Sequence, residues 1–169
     1  METLLLSDHC PDDIQRAGDI LRRGGLVAIP TETVYGLAAN ALDGEAVKKI
    51  YQAKGRPSDN PLIVHISRFS QLAPLVREVP ESAQKLAAAF WPGPLTIILP
   101  KSDVIPQQTS GGLDTVAVRC PSHPTARAVI DAAGVPLAAP SANLCGKPSP
   151  TTFLHVREDL TGRVDALLD

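Results

Sequence analysis

The chain has 169 residues, of which 44% are hydrophobic and 20% charged, and its formal net charge is −2. That length and balance suit one globular domain with a single core, and the charge excludes nucleic-acid binding by overall electrostatics alone. Cys10, Cys120 and Cys145 form no CxxC pair, so neither a disulfide framework nor a structural zinc site is expected.

The opening run METLLLSDHCPDD lacks a basic segment, and its apolar stretch is too short for a signal peptide. No apolar stretch reaches the roughly 20 residues of a membrane span. The expectation is a soluble, cytoplasmic protein with reduced thiols and no membrane partner.

Ile14, Ala17, Ile20 and Leu21 share one helical face between Pro11 and Arg23, and Gly24-Gly25 closes that helix. Leu26 to Ile29 reads as a buried strand ended by Pro30, followed by a strand-to-loop edge from Thr31 to Asn40. A helix from Glu45 to Lys54 is broken by Gly55-Arg56-Pro57, and Ser58 to Pro61 reads as a turn. A strand at Leu62–Ile66, a short helix near Ser70–Val76 and a helix at Glu81–Phe90 follow. Strands are expected at Leu95–Leu99, Thr115–Arg119, Leu137–Ala139 and Ala166–Leu168, with helices at Pro124–Ala133 and Thr152–Leu160. Their irregular alternation predicts an α/β fold, a twisted mixed β-sheet with surrounding helices.

Three segments could carry chemistry. Lys54 and Arg56 place two cations at a helix end before a rigid polar turn. They could address phosphate oxygens, or they could simply complement the helix C-terminus. Thr31-Glu32-Thr33-Val34-Tyr35-Gly36 follows a strand end, where hydroxyls could face a ligand and Gly36 could allow close approach or an unusual φ. The other reading is a threonine-rich edge with Tyr35 packed against it.

Arg119 ends an apolar strand, where an unpaired cation would be costly to bury. An anionic ligand such as an amino-acid carboxylate, or a structural Asp, would answer it. Pro140-Ser141-Ala142-Asn143 and Gly146-Lys147-Pro148-Ser149 supply small polar groups that serve either a ligand or the turns themselves. His65 alone reads as a satisfied strand histidine, and no local pairing marks Cys120 or Cys145 as a nucleophile. The sequence holds no GxxxxGK[ST], GxGxxG, HExxH or GxSxG, so any nucleotide would be held by scattered groups.

Read together, five blocks resemble the threonylcarbamoyl-AMP synthase family with its YrdC-like domain. They are Gly24–Leu37, Lys54–Pro57 with Asn60–Leu62, Trp91–Thr96, Val116–Pro121 and Ala139–Asn143, in the family's order. The resemblance implies a YrdC/RibB-like sheet with a concave basic cleft. It also implies synthesis of L-threonylcarbamoyl-AMP and pyrophosphate from L-threonine, bicarbonate and ATP. That product feeds tRNA threonylcarbamoyladenosine modification, completed by a separate threonylcarbamoyl transferase machinery.

Matched by position, the resemblance assigns Thr33, His65, Arg119 and Ala139 to L-threonine, and Arg56, Asn60, Thr115, Ser141 and Ser149 to ATP. Lys54 and Arg56 become the catalytic cations, with Mg²⁺ offsetting the repulsion between the two anions. Residues 1–169 would form a single YrdC-like domain that stops where family members continue with a further strand of the nucleotide site. Two other readings are a non-catalytic double-stranded RNA-binding module, which would make RNA a direct contact, and a carbamoyl-transfer domain. The net charge and the absence of interleaved aromatics oppose the first. The missing zinc-finger-type cysteines oppose the second.

Overall fold

The structure, a computed structural model, describes residues 1–55 and 60–169. Among these residues the strands are β1 (Leu4–Leu6), β2 (Val27–Ile29), β3 (Gly36–Asn40), β4 (Ile63–His65), β5 (Thr96–Pro100), β6 (Thr115–Arg119), β7 (Leu137–Ala138) and β8 (Ala166–Leu168). The helices are α1 (Pro11–Arg22), α2 (Gly44–Lys54), α3 (Glu81–Phe90), α4 (Gln107–Ser110), α5 (Pro124–Ala133) and α6 (Phe153–Leu160). Local chemistry explains several of their ends. Asp43 caps α2 by accepting from the Glu45 and Ala46 amides, and Gly55 closes it at φ 72°. Thr152 caps α6 through the His155 amide, and Pro11 and Pro124 open their helices where no amide partner is needed.

The sheet runs β1-β8-β2-β3-β7-β4-β6-β5, with parallel pairs at β1–β8, β8–β2 and β4–β6 and antiparallel pairs elsewhere. The mixed sheet expected from the sequence is thus observed. The reading changes at several points, among them a short helix, α4, that the sequence pattern does not announce. Gly36–Asn40, read as part of a polar edge, is a buried strand hydrogen-bonded on both sides. Its small residues, Gly-Leu-Ala-Ala, give little strand signal but let β2 and β7 close around it. Leu4–Leu6 is an edge strand paired with β8, and Ser70–Val76 resolves into two single turns of 3₁₀ helix at Phe69–Gln71 and Ala73–Leu75. The expected turn at Ser58–Pro61 lies largely outside the described residues.

Strand residues point alternately to the two faces of the sheet. Ala28, Leu37, Ala39, Val64, Ile97, Leu99, Val116, Val118, Ala138 and Leu167 turn to one face, where α2, α3 and α6 cover them. On the opposite face α1 and α5 cover only one half, packing on Val27, Ile29, Ala38, Leu137, Ala166 and Leu168. The other half of that face is open over one row of β4, β6 and β5, while His65 and Arg119 farther along β4 and β6 are buried. Ile63 and Ile98 are exposed there, at 38% and 64%, and Ala117 stands between them in register. This half-covered sheet is what makes room for a site.

The α1–α5 pair of this layer is closely packed. At Gly18 the backbones meet so closely that an added Cβ would lie 2.5 Å from the Ala132 carbonyl carbon and 2.7 Å from its Cβ. Gly18→Ala would gain about 1 kcal/mol of intrinsic helix propensity. It is nevertheless expected to destabilise the fold by about 1–3 kcal/mol through overpacking, read as a lower urea midpoint. An unchanged or raised midpoint would contradict this packing.

Candidate functional site

The site follows from strand register. His65 in β4 lies opposite Arg119 in β6 and Leu137 in β7, and Arg119 lies opposite Thr96 in β5. Directly opposed residues share a face, so His65 and Arg119 stand side by side on the half-covered one. Thr115 shares that face because it is four residues from Arg119, which sets the two about 13 Å apart along β6. Ala139 follows β7 by one residue and alternates onto the same face, while Ser141 bridges Gly36. Gly36 is therefore an ordinary strand residue, not a site of unusual φ.

Arg119 is only 7% exposed. Its cation is answered by Glu32, whose Oε1 accepts from Nη2, while Nε donates to the Gly93 carbonyl at 3.1 Å. The Glu32 Oε2 accepts from the Ser122 amide and hydroxyl and from the His123 amide at 3.0 Å. The sequence offered a ligand anion or an Asp as the partner of Arg119, and the structure supplies a glutamate 87 positions away. Glu32 was missed, although an acid beside a strand end in a nearly uncharged run is a signal for a buried cation partner. The same contact draws the loop bearing Thr33 towards Arg119. Within it the Thr31 hydroxyl donates to Val34 O at 2.6 Å and lies 3.1 Å from the Thr33 hydroxyl.

His65 is buried, its Nδ1 3.1 Å from the Ile63 carbonyl. Burial pushes its pKa down to about 4, against a weaker upward pull from the Ile63 and Leu137 carbonyls. At neutral pH it offers a neutral imidazole, a hydrogen-bonding group and not a charge. Burial also raises the Cys120 thiol, which suits a core residue more than a nucleophile.

Lys54 does not simply complement its helix end. It is buried, and its Nζ donates to the Ser141 carbonyl at 2.5 Å while the Cys145 amide donates to its backbone oxygen. The Ser141 hydroxyl donates to Asn143 Oδ1, and Asn143 Nδ2 donates to the Leu144 and Lys147 carbonyls at 3.1 and 2.9 Å. Asn143 thus shapes the following loop, as the turn reading had it. Asn60 is exposed, with its carbonyl taken by the Tyr51 hydroxyl. Ser149 is exposed and lines a small cleft of about 220 Å³ with His155, Glu158 and Asp159 of α6. No described contact joins it to His65 or Arg119. Arg56 lies outside the described residues.

Fold and site together define an α/β protein whose sheet is open on part of one face, with a paired guanidinium and a neutral imidazole buried side by side at its margin. The Sua5/YciO/YrdC family, described as "Telomere recombination", matches residues 19–169. The chain belongs to that family. It is 58% identical over 156 residues to a threonylcarbamoyl-AMP synthase of Pyrococcus abyssi, covering 92% of this chain and 46% of the relative. It is 57% identical over 165 residues to that of Bacillus subtilis, covering 97% and 47%. The crystal structure of P. abyssi Sua5 complexed with L-threonine superposes with a TM-score of 0.94 at 54% identity, over all of this chain and 50% of that one. The chain spans about half the length of these relatives. Among the described residues, no helix is long and apolar enough to cross a membrane.

The low pKa of His65 has a consequence for stability. Below pH 6.5 the unfolded imidazole takes up a proton that the folded one refuses until about pH 4. Stability should therefore fall across that window as the pH drops, by at most about 3 kcal/mol. Urea midpoints between pH 7 and 4.5 should decline less steeply in His65→Gln than in the wild type. Parallel curves would contradict a buried neutral histidine.

Proposed function

We propose that the open half-face binds L-threonine at its Arg119 end and ATP towards its Thr115 end, and that the chain carries the adenylating chemistry of a threonylcarbamoyl-AMP synthase. The observation that carries this reading is the row His65–Arg119 at the margin of an open face, in a chain more than half identical to relatives bearing that name. Residues 1–169 act in it as a single YrdC-like domain. Thr33, His65, Arg119 and Ala139 contact the amino acid: the guanidinium takes its carboxylate, and the neutral imidazole takes a hydrogen bond without adding charge. Arg56, Asn60, Thr115, Ser141 and Ser149 contact ATP.

In the reaction, the threonine amine bonds the carbon of bicarbonate with loss of water, giving a carbamate. A carbamate oxygen attacks the α-phosphorus of ATP, the bond to the β-phosphate bridging oxygen breaks, and pyrophosphate leaves. The protein's share is positioning two anions, which the Lys54 and Arg56 cations make tolerable. Among the described residues no group of three or more His, Cys, Asp or Glu side chains could hold a metal. Mg²⁺ would be held chiefly by the phosphates of the nucleotide and would lessen their negative charge. The product passes to a transferase that modifies tRNA, in the cytoplasm.

Supplying ATP, bicarbonate and L-threonine and measuring pyrophosphate tests this directly. Release should depend on both threonine and bicarbonate, and release that persists without threonine would remove the amino-acid assignment. Arg119→Ala should raise the KM for threonine by about tenfold or more while the KM for ATP changes by less than about threefold.

A further inference from the structure

Glu32 is the one acid that the described structure aims at the guanidinium of the site. Its two oxygens do different work. Oε1 meets Arg119 Nη2, and Oε2 is held by the Ser122 amide and hydroxyl and the His123 amide. Those amides immediately precede α5, where a carboxylate is also favoured by the helix dipole. The carboxylate is therefore anchored independently of Arg119. On the guanidinium's Nε the Gly93 carbonyl accepts, and the Gly93 amide is in turn tied to the Cys120 carbonyl at 2.8 Å. Two points of one planar fork are thus fixed by two separately anchored acceptors. A planar guanidinium carries five N–H donors, so the rest of the fork stays available to a ligand.

We infer that Glu32 is a positioning residue: anchored on the Ser122–His123 amides, it fixes the plane in which Arg119 presents its remaining donors to the carboxylate of the amino-acid substrate. This rests on the reading that Arg119 holds that carboxylate. Glu32→Gln replaces one oxygen by an N–H donor. Either the Arg119 side or the amide side then faces a donor, and a buried cation loses its counter-charge.

The experiment measures pyrophosphate release by the full chain while L-threonine and ATP are varied separately. Glu32→Gln should raise the threonine KM by about tenfold with the ATP KM within about threefold. Glu32→Asp keeps the charge, and so guards against a variant that does not fold, but withdraws the carboxylate by one methylene. It should raise the threonine KM in the same direction and by less. Ser122→Ala removes one bond to Glu32 and leaves the ion pair, and its threonine KM should stay within about twofold of wild type. An unchanged threonine KM in Glu32→Gln and Glu32→Asp overturns the inference, as does a proportional rise in both KM values, the mark of general loosening. A lowered threonine KM overturns it too, since Glu32 would then compete with substrate. Wild-type release that ignores threonine removes the parent reading itself, an outcome distinct from a normal wild type with insensitive variants.

Discussion

The strict alternation of side chains along β4, β6 and β7 governs everything else in this molecule. Because Val64, Val116, Val118 and Ala138 must face the core, their neighbours His65, Thr115, Ala117, Arg119 and Ala139 are forced to the other side. There the row Ile63–Ala117–Ile98 is left open, with Ile63 and Ile98 exposed, while His65 and Arg119 at its margin are buried. A shift of one residue in any of these strands would exchange valines for the site and bury the cation among apolar side chains. The hydrophobic core and the site are therefore specified by the same few residues, read on opposite faces.

Placing Arg119 at the edge of this open half-face creates an electrostatic obligation. A nearly buried guanidinium is stable only with a hydrogen-bonded counter-charge. The solution recruits a loop between β2 and β3, whose Glu32 pairs with the guanidinium. Lys54 meets the analogous need differently, reaching from the end of α2 to the carbonyl of Ser141. Through these two contacts the loops that carry Thr33 and Ser141 are tied to basic residues that come from elsewhere in the chain.

Much of this was legible in the sequence, for identifiable reasons. Thr115-Val116-Ala117-Val118-Arg119 displays its two faces in plain alternation, and α3, α5 and α2 carry recognisable caps or stops, so their limits were read almost to the residue. What escaped depends on partners distant in the chain. Leu4–Leu6 becomes a strand only by pairing with Ala166–Leu168, and β3 is made of small residues with weak strand preference. The side-by-side placement of His65 and Arg119 is a matter of register between strands some fifty positions apart, which no local pattern encodes. Glu32 was overlooked because its meaning lies in Arg119, and only the fold brings them together.

In the proposed function the amino acid is held at the His65–Arg119 row, beside the open half-face. The most direct measurement is an NMR titration of the chain with L-threonine, following the Arg119 Nε–H, the His65 ring protons and the Thr33 amide. These three should shift together and saturate at one dissociation constant, with Val64 and Val118 on the opposite face little affected. Shifts confined instead to the cavity of about 650 Å³ beside Lys85 and Trp91, or to the one beside Asp13 and Tyr35, would contradict it.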